Sequence, residues 1–176
     1  MGKCKVCGKS GLFLKLKNGL CESCYEEYFK YCTLIPQLQR IIDDSVKIIN
    51  NTKDIETFYS RYDLIIKHLD TLIESEKYIQ YKGQTPTEMK SKLLSQIDAE
   101  VGSMLCRYFQ AIDNKIEGLK TEKSKVNNFL NFIQTVSPYV ERFNEDNQKL
   151  IIQLCKTLQK HTNDSRKIDL TIFKNQ

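Results

Sequence analysis

Four sulfurs stand close together at the start of this chain. Cys4-x-x-Cys7 and Cys21-x-x-Cys24 fall within the first 24 residues, with 13 residues between the pairs. Two cysteine pairs at this spacing can close around one divalent ion as a tetrahedral S4 site. Such a site leaves no open position for water, so its metal is structural. Zn²⁺ is the ion expected. A redox pair would account for one Cys-x-x-Cys but not for both, and iron could use the same four ligands. The same segment carries Lys3, Lys5, Lys9, Lys15 and Lys17 and no acidic residue up to Cys21. Those five lysines are the candidate phosphate contacts.

Each cysteine pair needs a local backbone that presents it. Gly8 follows Cys7 and permits the tight, left-handed backbone of a metal-binding knuckle. Leu12-Phe13-Leu14-Lys15-Leu16-Lys17 alternates in part and predicts a short strand, ended by Asn18-Gly19, a pair suited to a tight hairpin turn. Leu20-Cys21-Glu22-Ser23-Cys24 leads into Tyr25–Tyr31, which predicts a helix. The second cysteine pair then sits at a helix N-terminus, where free amides and the positive dipole end favour thiolate. A segment of about 30 residues buries too little surface to fold unaided and usually needs a metal or disulfides.

Knuckle, hairpin and a Cys-x-x-Cys opening a helix together resemble a treble-clef zinc finger. The segment is also similar to short cysteine modules that begin many uncharacterised proteins of Gram-positive bacteria and their phages. The resemblance covers roughly residues 1–31 and implies Cys4, Cys7, Cys21 and Cys24 as the zinc ligands. It implies a fold and a metal but no substrate, since treble clefs serve many functions.

The remaining composition is that of a helical protein. The 176 residues are 40% hydrophobic and 28% charged, with only seven glycines and three prolines. That is enough apolar material for a core and a balance that favours helix. No run approaches the roughly 20 apolar residues of a membrane-spanning helix, and MGKCKVCGKS has no apolar signal-peptide core. Seven cysteines cannot all pair within one chain. A cytoplasmic protein is expected, with no membrane partner. The net charge of +5 resides entirely in residues 1–21, and one Zn²⁺ on four thiolates would lower that segment to about +3. The finger is mildly basic.

From Leu34 the apolar residues follow helical spacing. Leu38, Ile41, Ile42, Val46, Ile48 and Ile49 define one helix with Pro36 near its start. Over 53–80 three series repeat every seven residues: Ile55, Tyr62, Leu69; Phe58, Ile65, Leu72, Ile79; and Tyr59, Ile66, Ile73. Three apolar positions per heptad suit a helix packed in a bundle. Thr85-Pro86-Thr87-Glu88 carries the marks of a helix start: a Thr cap, proline first and Glu third. An apolar series from Met89 to Leu119 follows, weakens through 118–125 and resumes at Val126. The favoured expectation is one long central helix over 86–134; a break near 118–125 is the alternative. A further helix is expected from Pro138 to about Lys160.

The expected fold is therefore mainly α: a small N-terminal treble-clef zinc finger over 1–33 and an elongated helical bundle over 34–164. A C-terminal tail over 165–176 holds an alternating run, Lys167–Phe173, that could form a short strand. Cys32, Cys106 and Cys155 lie in or beside apolar helical positions and are expected in the core. His68 and His161 stand alone, and no nucleophile elbow or phosphate loop is present. No enzyme is expected. The leading expectation is a zinc-binding, non-enzymatic interaction or adaptor protein with a protein partner, which could also form a homodimer. The alternative is a nucleic-acid-binding protein using the finger's lysines.

Overall fold

A computed structural model describes residues 2–162. The tail expected over 165–176, with its alternating run, lies outside the described residues. The protein is mainly α-helical. Two short strands, β1 (Gly2–Lys3) and β2 (Ser10–Gly11), pair antiparallel, Gly2 opposite Gly11 and Lys3 opposite Ser10. Five α-helices follow: α1 (Glu22–Asn51), α2 (Ile55–Ser75), α3 (Pro86–Glu117), α4 (Glu122–Val136) and α5 (Glu145–Gln159). A 3-10 turn over Ser137–Arg142 separates the last two. None of these helices is long and apolar enough to cross a membrane.

The described residues divide into two compact units. One lies within Met1–Lys47 and Arg61–Leu94, the other within Ile48–Ser60 and Ser95–Gln176.

In the first unit α1 crosses residues 33 and 34 without a break and carries Pro36 in its interior, not near its start. Proline offers no amide to the carbonyl of Cys32, so one helical hydrogen bond is missing there. Leu38 and Ile42 are buried, whereas Ile41 and Val46 of the same helix are exposed. Ile65, Leu69 and Leu72 of α2 are each about 1% exposed. The cap expected before α3 is present in both directions: the Glu88 amide donates to Thr85 Oγ1 at 3.2 Å, and the Thr85 amide donates to the Glu88 carboxylate at 2.8 Å. That reciprocal pair satisfies two amides the helix leaves open.

In the second unit the core gathers Phe58, Met104, Leu105, Phe129, Phe132, Ile151 and Leu158, all fully buried. Arg107 reaches back to the end of α1, donating to the carbonyls of Ile49 at 3.1 Å and Thr52 at 3.0 Å. Those acceptors are ones a helix C-terminus cannot satisfy internally. The single helix expected over 86–134 is corrected: α3 ends at Glu117 and α4 begins at Glu122. Thr121 caps the new helix by accepting from the Ser124 amide at 3.2 Å. Gly118 and this Thr cap together stop one helix and start another. The helix expected from Pro138 likewise divides. Asn144 caps α5 through the Asn147 amide at 2.8 Å.

Candidate metal centre

The knuckle is built from backbone geometry. The Gly8 amide donates to the Cys4 carbonyl at 3.0 Å and the Cys4 amide to the Lys9 carbonyl at 2.9 Å, closing a tight loop around Val6 and Cys7. Gly8 has φ +72°, a conformation L side chains rarely adopt. At the second turn Asn18 (φ 54°) and Gly19 (φ 79°) both take positive φ, and Lys17 and Leu20 exchange amide–carbonyl bonds at 2.9 Å. This is the tight hairpin that Asn-Gly predicts. The strand expected over Leu12–Lys17 is not formed. The Leu14 amide instead turns back to the Gly11 carbonyl at 3.3 Å, and only Lys17 pairs, across the turn with Leu20. A further bond, from the Lys5 amide to the Gly19 carbonyl at 3.0 Å, ties knuckle to hairpin.

These loops and the first residues of α1 bring the four predicted cysteines together. One ligand atom from each of Cys4, Cys7, Cys21 and Cys24 lies within 4.8 Å of all the others. Cys4, Cys21 and Cys24 are buried and Cys7 is exposed. The Cys7 and Cys21 sulfurs are 3.6 Å apart. A tetrahedral ion with sulfur bonds of about 2.3 Å sets its ligands about 3.8 Å apart, so the spacing suits a metal of that size. All four cysteines are free thiols rather than disulfides.

The electrostatics of the sulfurs fit the same use. The Cys21 amide donates to Cys4 Sγ at 3.4 Å. That amide, together with the Cys7 amide, pulls the Cys4 thiol down to about 6. Burial, followed by hydrogen bonding to the other three sulfurs, pushes Cys24 up to about 12. Four sulfurs this close cannot all ionise by themselves. A divalent cation among them reverses that balance, since a coordinating thiol is deprotonated. Leu20 packs into the cluster with Val6, Leu14, Leu16, Tyr25 and Tyr28 around it, and Tyr78, beyond the end of α2, packs there too. Tyr78 also stacks on Tyr31 of α1, ring centres 5.8 Å apart.

All five lysines of the finger are exposed. Lys9, Lys15 and Lys17 border one open depression of about 860 Å³ with Phe13, Tyr25 and Phe29; Glu22 and Glu26 line it as well. Lys17 Nζ sits 5.2 Å from the Tyr25 ring centre. Lys3 lies in β1, and the end of the Lys5 side chain passes close to Gly19. Phe13 is 95% exposed, Leu12 77% and Phe29 63%. The sequence pattern gave no sign of this, because Leu12-Phe13 reads as part of a strand and Phe29 as part of a helix face.

Two further expectations are corrected. Cys32 and Cys106 are exposed rather than in the core, each one position past a buried neighbour, Tyr31 and Leu105. Cys155 is fully buried as expected, and burial pushes its thiol up to about 12. His161, isolated in the sequence, is partly buried, and its Nε2 lies 2.9 Å from Asp113 Oδ1. No protein-family model, curated protein or solved structure matches this chain to a significant degree.

Proposed function

We propose that this is a zinc-dependent, non-enzymatic interaction protein whose finger docks a protein partner. The carrying observation is the exposed apolar edge of Leu12, Phe13 and Phe29 on a segment that a metal would hold rigid. Contiguous exposed apolar groups rimmed by charge commonly mark interaction sites. Here Phe13 and Phe29 border a depression edged by Lys9, Lys15 and Lys17, and exposed Leu12 precedes Phe13 in the chain. A partner segment carrying apolar side chains next to acidic ones complements that edge. Zn²⁺ is the ion best suited to a closed S4 set, and the knuckle, the hairpin and the helix opened by Cys21 and Cys24 support the treble-clef reading. Seven free thiols suit a reducing compartment such as the cytoplasm.

A second reading, nucleic-acid binding, is favoured by two exposed aromatic rings beside lysines, the composition of single-strand binding surfaces. Glu22 and Glu26 in the same depression, and the lack of arginine in residues 1–21, weigh against it.

Capture from host extract at about 50 and 200 mM salt, before and after nuclease treatment, separates the readings, since phosphate contacts weaken steeply with salt. The protein-partner reading predicts a protein that withstands nuclease and the higher salt and is lost from the Phe13→Ser/Phe29→Ser double variant. Capture that needs nucleic acid supports the second reading. Equal recovery by the wild type and the double variant would falsify the use of this edge.

A further inference from the structure

We propose a second metal site in the other unit, built from Asp113, Glu117 and His161, that takes a divalent first-row transition ion through one imidazole and two carboxylates. One ligand atom of each residue lies within 4.8 Å of the other two. Asp113 and Glu117 stand four residues apart in the last turns of α3, so they share a helix face. His161 follows α5. Its amide donates to the Leu158 carbonyl at 3.1 Å, continuing the turn past Gln159.

Three features of the trio ask for a cation. Two carboxylates at i and i+4 repel each other on a helix surface. They also sit at the helix end where the dipole is negative, which favours cations and disfavours anions. The basic residue of that turn, Lys115, is two positions from each carboxylate and so belongs to another face. Finally, Asp113 Oδ1 is enclosed and receives no hydrogen bond among the described residues, although His161 Nε2 approaches to 2.9 Å. A buried carboxylate oxygen is costly unless something positive completes it, and a neutral imidazole brings no charge.

The spacing also suits an ion. With metal–ligand bonds of about 2.1 Å, two ligands at right angles lie about 3.0 Å apart. Imidazole with carboxylates suits Zn²⁺ or Mn²⁺ more than a soft ion, and three protein ligands leave coordination positions open. The site differs in this respect from the closed sulfur cluster. It shares no residue with that cluster, so it stands whatever the finger binds.

Calorimetric titration of Zn²⁺ into the full chain already carrying one equivalent of zinc tests the proposal. The expected result is a second equivalent bound with micromolar or tighter affinity. Glu117 is exposed, so Glu117→Gln removes one ligand while leaving the Asp113–His161 contact and the core in place. That variant should weaken the second equivalent by at least about tenfold, the scale lost when even a supporting partner of a ligand is removed. His161→Ala should do the same, and neither should alter the first equivalent. Absence of a second equivalent, or one that both variants bind unchanged, overturns the site. So does a His161→Ala variant that loses stability equally with and without added zinc, which would leave the trio as an ion pair only.

Discussion

Thiol labelling followed by mass mapping sorts the cysteines by what holds them. In the zinc-loaded protein Cys32 and Cys106, both exposed, should react with an alkylating reagent first. Cys4, Cys7, Cys21 and Cys24 should react only after a chelator is added, Cys7 included, because coordination and not burial protects it. Cys155 should stay unreactive until the chain unfolds: its thiol is enclosed and pushed up to about 12, far from the nucleophilic thiolate at neutral pH. Rapid labelling of Cys7 in zinc-loaded protein would contradict coordination at that position. The cysteine pairs were legible in the sequence because their chemistry depends on spacing alone. Cys32 and Cys106 were not, since one step along a helix turns a side chain by about 100° and carries it from the core side to solvent.

At the level of elements, the end of α1 depends on a side chain far away in sequence. Arg107→Ala removes two charge-assisted bonds to the carbonyls of Ile49 and Thr52, and should lower stability by about 2 kcal/mol in urea unfolding. An unchanged midpoint would mean that these bonds do not form in solution. Local signals marked several elements well. Thr85-Pro86-Thr87-Glu88 announced α3, Asn18-Gly19 announced the hairpin, and the heptad series of α2 delivered Ile55, Phe58, Tyr62, Ile65, Leu69 and Leu72 to burial. Elsewhere one local signal misled or another outweighed it. Pro36 reads as a helix start, yet α1 runs through it. The pause at 118–125 was visible as a weakened apolar pattern, but its outcome rested on Gly118 and the Thr121 cap, which periodicity does not weigh. Asn144 followed by Glu145 and Asp146 was a cap signal that outranked Pro138 as the start of α5.

For the molecule as a whole, the sulfur cluster belongs to the unit that also holds Tyr31 and Tyr78. Removing the metal should therefore loosen more than the first 24 residues. Hydrogen exchange after chelation should quicken at Leu20–Tyr31 and around Tyr78, while amides near Met104, Phe129 and Ile151 in the other unit keep their protection. Uniform quickening across both units would show that the metal supports the entire fold. The Asp113–Glu117–His161 trio shows what sequence reading reaches least well. An i, i+4 carboxylate pair is too common to single out, and its histidine arrives from 44 positions beyond Glu117 only once α5 is in place. Everything proposed for the finger requires the four N-terminal sulfurs to surround one ion. X-ray absorption at the zinc edge, on protein loaded with a single equivalent, examines that directly. Four sulfur neighbours at about 2.3 Å are expected. A first shell dominated by nitrogen and oxygen, or a chain that takes up no zinc because two of those sulfurs are joined, would contradict it.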